Sequence, residues 1–221
     1  MNVILLQAII LYQSFLPNTG TEPLALSDSL MMTRGTGWPF SYACQLEYDS
    51  PRDLVFCACG GGVYVLDCAV PENPVVISSG IRCRGFAGDL HYSPESSLLF
   101  VAAGLAGLEV WDIQDPANPQ CLSRLQFSQA IRSVCVGGNT ACVTFNYGDN
   151  FITVDITDPE NPELMGSCDL NAFPGKLDIR DDYAFLAAST MGLRVIDISD
   201  PAVPEEVAGY SVSDFARDVV I

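Results

Sequence analysis

The sequence predicts an all-β chain built from tandem four-stranded antiparallel blades, a β-propeller with four complete repeats and the start of a fifth. Three observations lead there. One phrase recurs four times, and its anchoring aspartates Asp67, Asp112, Asp155 and Asp197 stand 45, 43 and 42 residues apart. Every copy carries two prolines at fixed spacing and no 3.6-residue apolar periodicity, which excludes helical solenoids of similar period. The remaining sequence is short Val/Ile/Phe runs separated by turn residues, with 18 glycines and 14 prolines. That composition suits many short strands.

The repeated phrase reads GVYVLDCAVPENP at 62–74, GLEVWDIQDPANP at 107–119, NFITVDITDPENP at 150–162 and GLRVIDISDPAVP at 192–204. A unit of this length holding only strand-like runs matches one four-stranded blade. The innermost strand, A, is expected around residues 44–48, 89–92, 133–136 and 176–179. Strand B follows at 54–59, 98–103, 141–145 and 183–188, and strand C is the repeated phrase itself. Alternation along C puts Val63/Val65, Leu108/Val110 and Leu193/Val195 on one face of each blade. Strand D follows the second proline, as at 75–78 and 205–210. The blades then span about 41–80, 81–125, 126–169 and 170–212, with a partial blade at 213–221.

The phrase Leu-x-Val-x-Asp-x-x-Asp-Pro-x-x-Pro, preceded by a Tyr-Ala-Phe-type strand, resembles the LVIVD repeat. The resemblance covers roughly residues 41–221. It implies a β-propeller and an extracellular or cell-surface location, because the family occurs mainly in bacterial and archaeal surface or secreted proteins. Two positions depart from the pattern: Val70 stands for the second Asp in blade one, and Asn150 for the Gly in blade three.

Turn chemistry accounts for the conserved positions of the phrase. Asp67, Asp112, Asp155 and Asp197 end strand C, where an Asp carboxylate accepts a backbone N–H two residues on. Pro71, Pro116, Pro159 and Pro201 preset φ at the following turn. Calcium at the Asp-x-x-Asp pairs is the minor alternative, since each pair offers two carboxylates and blade one only one. No metal or other cofactor is otherwise expected.

The cysteines fall mostly in apolar slots. Cys68 stands where other blades have Ile113, Ile156 and Ile198, and Cys57 and Cys59 match Val101 and Ala103. They are expected as buried thiols. His91 is the one histidine, on strand A. It cannot build a multi-His metal site, and the chain has no GxSxG elbow.

With 27 acidic against ten basic residues the net charge is −17, which excludes nucleic acid as a partner. Residues 3–12 are apolar but too short to cross a bilayer. Residues 1–40 therefore fit either a signal or anchor segment or the remnant of an upstream blade, and a membrane enters only through such an anchor. The LPNTG at 16–20 lacks the apolar segment and basic tail that would make it a sortase signal.

Propeller topology sorts the charges by face. D–A connections and B–C turns share one rim, the top, while A–B and C–D turns share the other. The acids Asp49, Asp53, Glu72, Asp115, Asp158 and Asp200 collect below. Half the basic residues, Arg82, Arg84, Arg132, Lys176 and Arg217, collect above with Phe86, Asp89 and Tyr147. These eight residues form the candidate binding site, since loops on a rigid scaffold carry function. The expected function is a non-enzymatic surface or secreted scaffold that binds a protein or glycan partner at this rim. The alternative is a metal-assisted propeller hydrolase or lactonase using channel carboxylates such as Asp89 and Asp218. An open ring of blades also exposes a sheet face and free edges, and is expected to self-associate or be marginal.

Overall fold

A computed structural model describes residues 45–78, 80–146, 150–170 and 173–221. Blade one holds β1 (Gln45–Asp49), β2 (Leu54–Ala58), β3 (Gly60–Asp67) and the two-residue β4 (Val75–Val76) in antiparallel order, with β5 (Ile81–Ala87) also paired to β3. Blade two is β6 (Asp89–Ser93), β7 (Leu98–Ala102), β8 (Leu108–Asp112) and β9 (Gln120–Leu125). Blade three is β10 (Ile131–Gly137), β11 (Thr140–Phe145), β12 (Asn150–Asp155) and β13 (Glu163–Asp169). Blade four is β14 (Leu177–Arg180), β15 (Tyr183–Ala187), β16 (Leu193–Asp197) and β17 (Glu205–Tyr210). Among the described residues the only helices are two three-residue 3₁₀ turns, Ser50–Arg52 and Gly104–Ala106.

The alternation read from the sequence is the packing code of the fold. In blade one Phe56 pairs with Val65 and Ala58 with Val63, and all four lie on the face turned to blade two. They pack there against Leu90, Leu99 and Val101. Phe100, Leu108 and Val110 repeat the arrangement between blades two and three, and Cys142 and Phe151 between three and four. All these side chains are at most 2% exposed. Burying each large one contributes about 1.5–3 kcal/mol. The corresponding face of blade four carries Phe185, Leu193 and Val195, which are only half-buried. The four sheets do not close a ring.

Polar clamps fix the blades as well. Arg52 of blade one donates to the Ile113 carbonyl (2.8 Å) and the Tyr92 hydroxyl (2.7 Å) of blade two, and pairs with the buried Asp49. The motif glycine has its own reason. At Gly107 and Gly192 φ is +85° and +77°, and a Cβ would lie 2.1 and 2.0 Å from the carbonyl oxygens of Leu125 and Tyr210. Strand D of the same blade crosses too closely for any side chain.

Three details differ from the sequence reading. The outer strand of blade one is two residues long instead of four, although Ile77 still donates to the Val65 carbonyl at 3.0 Å. The connection into blade two, expected as a loop, is the strand β5. Residues 213–221 form an isolated bridge, Ala216 with Ser189, in place of an inner strand. No neighbouring strand B stands among the described residues to complete its ladder. The segment 1–40, with its apolar run and LPNTG, lies outside the described residues.

Candidate functional site

The connections entering strand A and those joining B to C gather at one end of the sheets, around a cavity of about 770 Å³. Arg84, Gly85 and Phe86 reach it from β5, Arg132 from the start of β10, Asn146 from the end of β11, and Lys176 from the approach to β14. Of the eight residues expected at the rim, Arg84, Phe86, Arg132 and Lys176 thus meet at one cavity. Arg82 and Arg217 are exposed but do not line it, and Tyr147 lies outside the described residues. Gln126, Asn146, Ile131 and Leu105 complete the wall without having been singled out from the sequence. They carry no repeat signal, because loop length differs between blades.

Asp89 has a different place from the one expected. It is 2% exposed and sits beneath the cavity, not in its wall. Its Oδ2 accepts from Ser133 Oγ and, at 3.2 Å, from the Val134 amide. Its Oδ1 accepts from Lys176 Nζ at 2.5 Å. A buried carboxylate needs such partners, since desolvation without them costs far more than the pairing returns. Lys176 is consequently neutralised from below. Arg84 and Arg132 are both exposed, and neither forms a salt bridge among the described residues.

Deeper along the inner strands lies a set of titratable groups. Burial pushes the Glu47 carboxyl up to about 7, with Asp89 and Asp178 adding repulsion and Lys176 opposing it. Burial also pushes the His91 imidazole down. The Cys135 thiol lies 3.6 Å from His91 Nδ1, and burial pushes it up to about 12. Asp178 accepts backbone amides, from Ile179 at 2.8 Å and Ile221 at 3.0 Å. Asp218 is exposed, and its Oδ1 accepts from the Val219 amide at 2.9 Å. Among the described residues no three His, Cys, Asp or Glu side chains are grouped to hold a metal ion.

At the other end, Asp67, Asp112, Asp155 and Asp197 each accept the amide two residues on, from Ala69, Gln114, Thr157 and Ser199 at 2.8–2.9 Å. Asp115, Asp158 and Asp200 do the same at 3.0–3.1 Å with Ala117, Glu160 and Ala202. Pro71, Pro116, Pro159 and Pro201 follow inside β-turns closed by i to i+3 bonds such as Asn118 to Asp115 at 3.0 Å. The thiols of Cys57, Cys59 and Cys68 are buried and in no disulfide. Cys57 and Cys59 Sγ lie 3.4 Å apart, and this contact pulls the Cys59 thiol down.

Comparison with known proteins agrees with this architecture. The LVIVD repeat family matches at residues 130–170 and 175–212. An uncharacterised protein of Archaeoglobus fulgidus is 29% identical over 82 residues, 35% of this chain and 13% of the relative. A Lactobacillus plantarum protein of known structure superposes with a TM-score of 0.68 at 12% identity, over 80% of this chain and 58% of the other. A functionally unknown Desulfotomaculum acetoxidans protein gives 0.66 at 14%, over 80% and 59%. The computationally designed Ika8 gives 0.63 at 15%, over 82% and 53%. At such identities the likeness is one of fold, and the chain spans between half and three-fifths of these structures' length. Of its four propeller-type blades, the third and fourth are thus matched by the LVIVD repeat, and the chain carries two such repeats at residues 130–170 and 175–212.

Proposed function

We propose that this chain is a non-enzymatic repeat scaffold, outside the cell or on its surface, that binds a protein or glycan partner through the rim cavity by accepting an anionic group. The observation that carries the reading is the convergence of Arg84 and Arg132, neither in a salt bridge among the described residues, on one cavity of a chain whose net charge is −17. In a strongly acidic protein, two guanidiniums facing one concavity make a local positive patch that draws an anionic group. Arginine suits a carboxylate because its planar fork donates two parallel hydrogen bonds. Phe86, 47% exposed beside the two arginines, supplies an apolar platform. The partner's identity then depends on what carries the carboxylate, an acidic sugar or an acidic peptide.

The test is the double charge reversal Arg84→Glu with Arg132→Glu, assayed on an acidic-glycan array and by calorimetry with acidic peptides at two salt concentrations. Wild-type binding should be weak and should weaken further with salt, and the double variant should lose it. Equal binding by the two proteins would remove the reading.

A further inference from the structure

We propose that Glu109, a buried residue outside the cavity, is the positioning residue of the rim site, setting where Arg84 and Phe86 stand. The inference rests on the binding reading above. In the β3–β5 ladder Gly62 pairs with Arg82 and Gly60 with Ala87, so residues 83–86 stand opposite Gly61 alone. That surplus is a bulge, which bends a strand and leaves backbone groups without ladder partners. The bulge is also the part of β5 that contributes Arg84, Gly85 and Phe86 to the cavity wall.

The partner missing from the ladder comes from the next blade. Glu109 Oε1 accepts the Arg84 amide at 2.9 Å across 25 residues of sequence. The same carboxylate is held in place from two other sides, by Trp111 Nε1 to Oε2 at 3.0 Å and Arg124 Nε to Oε1 at 3.3 Å. Glu109 itself is 0% exposed. Its place in the repeat is taken by Tyr64, Ile152 and Arg194 in the other blades, so the repeat does not require an acid there. Because Arg84 meets Glu109 through its amide, and the Arg124 side chain supplies the ion pair, the Arg84 guanidinium stays available to the cavity. The bulge is pressed against blade two as well: a Cβ on Gly85 would lie 2.0 Å from the Ala103 carbonyl oxygen.

The experiment compares wild type with Glu109→Leu, which removes the acceptor, and Glu109→Gln, whose side-chain carbonyl still accepts the Arg84 amide. Oligogalacturonate and poly-glutamate serve as probes, and amide exchange at residues 83–86 is measured without either. Glu109→Leu should lose about tenfold in affinity, the order expected when one guanidinium no longer meets its carboxylate. The Arg84 amide should exchange fast in that variant and stay protected in Glu109→Gln, which also keeps most of the affinity. A purely structural role would lower melting temperature in both variants while leaving affinity and local exchange alone. If Glu109→Leu does not fold, Gly85→Ala displaces the same bulge with the carboxylate intact, and unchanged affinity there overturns the proposal. A wild type that binds neither probe sinks the rim reading, whereas an Arg84 amide that stays protected in Glu109→Leu sinks the role of Glu109.

Discussion

Asp155 and Asp197 are partly exposed at the ends of their strands, and their carboxyls titrate below the ordinary aspartate value of 3.8 because Thr157 and Ser199 donate to them. A depressed carboxyl stabilises the fold while ionised. Its contribution is therefore complete above the unfolded value and is lost as pH falls through the lower, folded one. NMR titration should place both midpoints below 3.8, and Asp197→Asn, which keeps an acceptor without charge, should flatten the stability change in that acid window. Midpoints at the ordinary value would contradict this assignment. Buried thiols behave oppositely: burial raises Cys142 strongly, so the thiolate that reacts with alkylating reagents is scarce near neutrality. Under native conditions Cys142 and Cys68, also raised by burial, should resist such reagents until the protein unfolds.

Elements in this molecule are stable as pairs of blades, because each sheet buries one face against the next. Phe100 and Phe185 occupy the same position of the second and fourth repeats, each paired across to a strand-C valine, Val110 and Val195. Phe100 is 1% exposed under blade three, while Phe185 is half-buried. Phe100→Ala should cost about 3–5 kcal/mol, the usual range for an enclosed Phe. Phe185→Ala should cost clearly less, and chemical denaturation of the two variants checks the ordering. The inner strands add a pH dependence of their own. Glu47 on β1 has a folded value near 7, against an ordinary value of 4.5. A raised carboxyl favours the fold at low pH, and that advantage is lost as pH rises from 4.5 through 7. Glu47→Gln should remove this slope and leave the variant more stable than wild type at pH 8.

For the whole molecule, charge is the dominant long-range term. A net charge of −17 on 221 residues repels itself, and salt screens that repulsion over about 10 Å at 0.1 M. Melting temperature should rise with added salt while binding of an anionic partner at the rim falls. Opposite salt responses of stability and affinity would separate general screening from the local site; a common direction would argue against rim binding.

Within the sequence alone, the repeated phrase determined the blades, the pairing order of their strands, the inward faces and the Asp-Pro turns. Those features arise from short-range chemistry: side-chain alternation, turn preferences, and an Asp that bonds two residues ahead. The tertiary structure decided what meets across blades. Lys176 and Asp89 pair across 87 residues of sequence, so one expected site residue, Asp89, lies beneath the cavity and neutralises another, Lys176, in its wall. The repeated phrase does not single out Glu109, and an isolated acid in an apolar strand is a weak signal of burial. Its three donors come from two blades, and only the packing of one sheet on the next brings them to a single carboxylate.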